Sequence, residues 1–298
     1  MLYGRSMELM HERLRKPATV RSLRLGETTV TYVPDGVCRL TPTGWFPAST
    51  DEDWAVHPEY LDEAGNVVAG IGGLLVERDG RALLIDAGFG PHSYPTGPEG
   101  PVTEIQGGAL LDNLARLGRA PTDVEAVAFT HLHVDHVGWG WLPTPGGDRP
   151  PFAHAPYLVS EPEWTQREFL EAAGTGADIL DAMAPYVRTV TDGEEIFPGV
   201  RVRLSAGHSP GHASYVVTTD DRRLIAFGDA MHTPAQIHHP DWHAAPDHDT
   251  TASTEARRGL VAELQEPDTI GFGVHFADVP FGRVRQDGDR LAWVPVDA

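Results

Sequence analysis

Three imidazoles and a carboxylate fall within six consecutive positions, as His131, His133, Asp135 and His136. They follow Val124-Glu125-Ala126-Val127-Ala128-Phe129, whose β-branched and apolar residues predict a buried strand, and they lead toward Gly138 and Gly140. The arrangement reads as a strand ending in a loop that carries a metal site. Imidazole and carboxylate suit borderline divalent ions such as zinc, and ligands close together in one loop need little further ordering to share an ion. In an extended chain His131 and His133 point the same way and can grip one ion. Asp135 and His136 then face a neighbouring position, where a second ion fits.

His-x-His-x-Asp-His after an apolar strand resembles the metallo-β-lactamase superfamily, and the rest of that family's pattern follows in order. Gly207-His208-Ser209-Pro210-Gly211-His212 matches the next motif, in which the second histidine, His212, is taken as the ligand. Leu224-Ile225-Ala226-Phe227-Gly228-Asp229 supplies a strand ending in a bridging aspartate, and Thr269-Ile270-Gly271-Phe272-Gly273-Val274-His275 supplies the last ligand. Upstream, Leu83-Leu84-Ile85-Asp86-Ala87-Gly88 fits the family's Asp-x-Gly, with Asp86 a hydrogen-bond acceptor behind the ligands.

The resemblance implies an αβ/βα sandwich of two mixed sheets with helices outside. It also implies two divalent ions, zinc first, with iron, manganese and cobalt as alternatives. His131, His133 and His212 would hold one, Asp135, His136 and His275 the other, with Asp229 between them. A hydroxide shared by the metals would attack a lactone or carboxylic ester, with Asp135 or Asp229 moving the proton. His232, three residues after Asp229, stands where related lactone-cleaving enzymes carry a tyrosine, and would steady the substrate oxygen. Gln236-Ile237-His238-His239-Pro240-Asp241-Trp242 resembles the branch containing methyl parathion hydrolase and quorum-quenching lactonases. Organophosphate triester hydrolysis is therefore the nearest alternative, with β-lactam cleavage behind it. Outside hydrolysis stand a diiron redox protein, against which His133 counts, and a non-catalytic metal-binding module.

The composition narrows the partners. Asp and Glu number 43 against 23 Lys and Arg, a formal charge of -20 that repels nucleic-acid phosphates. The expected partner is a small-molecule substrate, with neither nucleic acid nor membrane. Hydrophobic residues at 41% suit a globular core, and no apolar run reaches the roughly 18 residues of a membrane span. A single cysteine, Cys38, excludes an internal disulfide. With no apolar signal-like segment at Met1 to Lys16, the cytoplasm is the expected compartment.

The positioning elements are legible in part. Residues 1–19 read as an N-terminal arm, helical from Ser6 to Lys16, that packs on the domain or on a second copy in a homodimer; residues 20–298 read as one catalytic domain. Hairpins are predicted over 20–33, over 67–85 through Asp79-Gly80, over 214–227, and over 282–294 through Asp287-Gly288. Helices are predicted over 109–117, over 161–173 with Ser160 as cap, over 174–185 and over 250–266. Strands are expected at 157–160, 187–196 and 200–204. Residues 34–60 read as a long loop whose Trp45, Phe46 and Trp54 are candidate pocket walls. Trp139, Trp141, Phe276 and Phe281 are candidates for an acyl pocket, and the histidines from His238 to His248 match no tight metal spacing.

Overall fold

A computed structural model describes residues 10–95 and 100–297. Among these, the strands form two mixed sheets. The first contains β1 (Arg21–Leu25), β2 (Thr28–Leu40), β3 (Val67–Arg78), β4 (Arg81–Ile85), β5 (Ser93–Pro95), β6 (Val102–Gln106), β7 (Ala126–Ala128), β8 (Tyr157–Ser160) and β9 (Val187–Val190), in the spatial order β5-β6-β2-β3-β4-β7-β8-β9 with β1 beside β2. The second runs in sequence order through β10 (Glu195–Phe197), β11 (Val200–Leu204), β12 (Ala213–Thr218), β13 (Arg223–Ala226), β14 (Thr269–Phe272), β15 (Phe281–Asp287) and β16 (Arg290–Pro295). Val30, Leu74 and Leu83 of the first sheet share a buried cluster with Val202, Tyr215 and Ile270 of the second, so the sheets pack face to face. Helix Leu110–Arg116, helix Val134–Trp141 and helix Ala177–Met183 cover the outer face of the first sheet. Helix Thr250–Glu263 covers the outer face of the second through Leu260, Val261 and Leu264. This is the expected αβ/βα sandwich.

Three departures from the sequence reading have local causes. Residues 34–40 are strand, because β2 continues in register with β3 as far as Leu40 opposite Val67. Pro34, Asp35 and Gly36 hide that strand from a pattern search, and the register shifts between Pro34 and Gly36, a bulge that sets Asp35 apart from the ladder. Short helices at Pro42–Trp45 and Asp51–Ala55 and a 3₁₀ turn at Pro58–Tyr60 occupy much of the remaining expected loop. The predicted strand over 187–196 is two strands in different sheets, parted by a turn where Gly193 takes φ +77°. Finally, the chain past His133 is helical from Val134, so Asp135 and His136 sit in the first turn of a helix.

The described part of the expected arm, from residue 10, packs on the body of the fold: residues 10–14 are helical, Leu14 is buried in the core, and Arg13 donates to the Asp278 carbonyl at 2.6 and 3.0 Å. Met7 and Leu9 of that predicted helix lie outside the described residues. Among the described residues, no helix is long and apolar enough to cross a membrane.

Candidate metal centre

The chemistry-bearing residues gather at one rim, just past strand ends. Parallel pairing brings β4 beside β7 and β13 beside β14. Asp86 follows β4, His131 follows β7, Asp229 follows β13 and His275 follows β14. Two backbone positions carry the cost of the tight turns. Asp86 adopts φ +63°, unusual for a residue with a side chain. Gly228, at φ +49°, has no room for more, since a Cβ there would lie 2.8 Å from His212 Nε2.

Asp229 stands at the centre, buried, with its two oxygens facing different histidines. Oδ1 lies 3.1 Å from His136 Nε2 and 3.0 Å from His275 Nε2. Oδ2 lies 3.7 Å from His131 Nε2, 3.3 Å from His208 Nε2 and 3.1 Å from His232 Nε2. Donor atoms of His131, His133, His208 and Asp229 all fall within 4.8 Å of one another; so do those of Asp135, His136 and His275, and those of Asp229, His232 and His275. Asp135 is the most open of these residues, its side chain 19% exposed, with Oδ2 3.8 Å from both His136 and His275.

The rings are oriented from behind. Asp86 Oδ2 accepts from His136 Nδ1–H at 3.0 Å and from the Thr130 hydroxyl at 2.9 Å, while Thr130 Oγ1 lies 3.1 Å from His131 Nδ1. The Gly70 carbonyl accepts from His275 Nδ1–H at 2.7 Å. Each of these rings therefore keeps its Nε2 lone pair pointed at the cluster.

That arrangement leaves polar atoms stranded unless a cation joins them. Of the eight buried side-chain nitrogens and oxygens without a hydrogen-bond partner among the described residues, five belong here: His131 Nε2, His136 Nε2, His275 Nε2, His232 Nδ1 and Asp229 Oδ1. Native cores satisfy nearly all such atoms, so their concentration around one carboxylate, with ligand-type donors throughout, fits divalent metal ions.

Proton affinities divide among the rings: against the effect of burial, Asp229 raises His208 and His275. Burial and the neighbouring His136 push His131 well down, and burial and His208 do the same to His133. Burial also lowers His232 to about 4. Asp229 is held well below the ordinary carboxylate range, because His275, His136 and His131 outweigh a burial that would raise it. His136 goes up despite burial, since Asp229, Asp135 and Asp86 surround it.

His212, expected among the ligands, lies outside these groups. Its Nδ1 meets Ser205 Oγ at 2.9 Å and its Nε2 accepts the Asp229 backbone N–H at 3.1 Å, so both nitrogens are engaged in setting the turn that presents Asp229. His208, the first histidine of the same motif, takes the place beside His131 and His133. Two histidines four residues apart on one loop give a sequence reader no basis for choosing between them.

The aromatic candidates divide. Phe46 and Trp54 are buried core residues packed with Trp242 at centroid separations of 6.5 and 4.9 Å. Trp139 is also buried, its indole N–H donating to Asp35 Oδ1 at 2.9 Å. Phe276 packs on Trp293 and Phe227, and Phe281 on Phe272, so neither belongs to a pocket. Only Trp45, edge-on to His232 at 5.2 Å, and Trp141, stacked on His92 at 6.4 Å, keep partly exposed faces. Beyond His232, the histidine-rich segment points elsewhere: His239 stacks on Trp242 at 4.0 Å and His248 meets Phe169 at 4.4 Å.

Sequence reasoning missed three buried carboxylates that brace the site. Glu163 accepts from Leu132 N–H at 3.0 Å, from the Ser209 hydroxyl at 2.6 Å and from Gly211 N–H at 2.9 Å, tying the two histidine loops together. Asp35 accepts five N–H groups, from Phe89, Gly90, Gly108, Leu110 and the Trp139 ring, at 2.8 to 3.0 Å. Asp247 bonds to His208.

A family model of the metallo-β-lactamase superfamily matches residues 74–272, which span every histidine and carboxylate described above except Asp35 and His275. The chain belongs to the metallo-β-lactamase superfamily. It is similar to an N-acyl homoserine lactonase of Bacillus thuringiensis, 26% identical over 168 residues; the match covers 55% of this chain and 61% of that lactonase. Among solved structures, AidC, a dizinc quorum-quenching lactonase in complex with a product, superposes with TM-score 0.79 at 20% identity, covering 95% of this chain and 99% of AidC. The hydrolase AbOPH superposes with TM-score 0.76 at 24% identity, covering 94% and 98%. The chain spans 42% and 61% of the length of the Bacillus cereus and Bacillus thuringiensis lactonases it matches.

Proposed function

We propose that the chain is a dinuclear hydrolase of lactones or carboxylic esters. One observation carries this reading: a single buried aspartate divides its two oxygens between two histidine groups. His131, His133 and His208 would hold one ion, Asp135, His136 and His275 the other, and Asp229 would serve both. Two such cations supply Lewis acidity toward a carbonyl oxygen and acidify water near neutral pH. The residues of the chain do the rest. Asp135, at the open side, accepts the proton that water loses as its oxygen bonds to the acyl carbon. His232, stacked on His275 at 5.3 Å, would steady the substrate oxygen or the departing ring alkoxide by turning its single N–H there from Asp229 Oδ2, 3.1 Å from its Nε2. When the ring C–O bond breaks, that alkoxide takes up the proton and the product is a hydroxy acid.

The lactonase names of the Bacillus thuringiensis relative and of AidC support the substrate class. A strong negative charge favours neutral substrates over anionic ones. The test is metal titration of the purified chain with parallel lactone hydrolysis. Two ions per chain, with hydrolysis rising as the second ion binds, agree with the proposal; hydrolysis indifferent to metal removal contradicts it.

A further inference from the structure

Asp247 lies in the histidine-rich segment, where no motif marks it. Its side chain is fully buried. Oδ1 accepts from His208 Nδ1–H at 2.7 Å; Oδ2 accepts from the Ser253 hydroxyl at 2.7 Å, from Ala244 N–H at 3.1 Å and from Arg257 Nη2 at 3.4 Å. Arg257, equally buried, is itself anchored, donating from Nε to the Ala230 carbonyl at 2.9 Å and from Nη1 to the Pro240 carbonyl at 2.6 Å. A line of contacts thus runs from helix Thr250–Glu263 through Asp247 to His208, whose Nε2 lies 3.0 Å from His133 Nδ1 and 3.3 Å from Asp229 Oδ2.

Burying both an arginine and an aspartate is costly, and the cost is met only when the pair is hydrogen-bonded on every side. What this pair obtains is a fixed ring. With Asp247 accepting at Nδ1, the His208 lone pair sits on Nε2 and faces the cluster. The other metal group has its own supports, Asp86 behind His136 and the Gly70 carbonyl behind His275. Asp86 reaches both groups, directly at His136 and through Thr130 at His131, whereas Asp247 touches only His208 of the first.

We propose that Asp247, held by Arg257 and Ser253, is the positioning residue that presents His208 Nε2 to the first metal position and sets the occupancy of that position separately from the second. The inference rests on the dinuclear reading above. Asp247→Asn keeps the shape, but whichever way its amide turns, the NH2 faces a donor among His208, Ser253, Ala244 and Arg257.

The experiment is equilibrium dialysis of the full chain with zinc against a competing chelator, with cobalt(II) absorption spectra as a second readout. Wild type is expected to hold two ions. Asp247→Asn is expected to hold one at the same free zinc, its weaker position loosened about 10 to 100-fold, with the cobalt spectrum of one position lost. Two ions with unchanged affinities in the variant, or equal weakening at both positions, overturns the inference while leaving the dinuclear reading intact. Wild type binding no zinc overturns both. Long-range 1H–15N spectra of zinc-loaded wild type decide the matter without any variant: the His208 proton is expected on Nδ1, and a proton on Nε2 contradicts the proposal.

Discussion

At the scale of single residues, the site separates into groups that would hold ions and groups that orient them. His232 belongs to neither: its Nε2 touches Asp229, its Nδ1 is unpaired, and its backbone N–H is fixed by Gln236 Oε1 at 2.6 Å. His232→Ala is expected to keep its metal content while kcat on a lactone falls about 10² to 10³-fold, the usual cost of losing an oriented donor; loss of metal instead would make it a ligand. Asp86 acts through two rings and Thr130, so Asp86→Ala should weaken metal binding about 10 to 100-fold, read by chelator competition. The residue types that gather at the site and their order were legible because imidazoles and carboxylates at strand ends are chemically conspicuous. That His208 rather than His212 lies beside His131 and His133 was not, since it depends on which ring the loop turns inward.

At the scale of elements, the structure shows what the sequence disguised. The long β2 strand carries Pro, Asp and Gly at its bulge, and those residues read as a loop until the pairing with β3 is seen. The bulge sets Asp35 where it gathers five N–H groups from the segments flanking the site and from helix Val134–Trp141. Asp35→Ala strands those donors in a buried place and is expected to cost at least about 3 kcal/mol in urea unfolding; a cost within 1 kcal/mol would show water replacing the carboxylate. Aromatic candidates failed for a related reason. Burial of Phe276, Phe281 and Trp139 follows from long-range packing between layers, which composition near a motif does not report. Phe281→Ala should therefore destabilise by roughly 3 to 5 kcal/mol with no change in acyl-chain preference. The hairpins through Asp79-Gly80 and Asp287-Gly288, by contrast, follow from local turn chemistry and form as read.

At the scale of the whole molecule, residues 13–21 are fastened to the body by Asp278 and to the C-terminal residues by Asp297. Asp278 is hydrogen-bonded by Arg21 at 2.9 Å and by Thr19 at 3.0 Å, and Arg13 also reaches Asp297. Burial works to raise its pKa, but Arg21 and Thr19 hold it below the ordinary carboxylate range. Its contribution to stability is therefore complete above the unfolded value of about 3.9 and is lost as pH falls through the folded value. The melting-temperature gap between wild type and Asp278→Asn should be constant from pH 5 to 7 and close below pH 4; a gap that widens with acid would contradict the assignment. The charge of -20 acts on partners rather than on the fold. The central claim is the substrate class, and the most direct measurement is the initial rate of metal-loaded chain on a long-chain acyl-homoserine lactone, a phosphotriester and a β-lactam, each repeated with His133→Ala. The account predicts lactone turnover well above the other two and abolished in the variant. Faster turnover of the phosphotriester or β-lactam, or lactone turnover that survives the loss of His133, would contradict it.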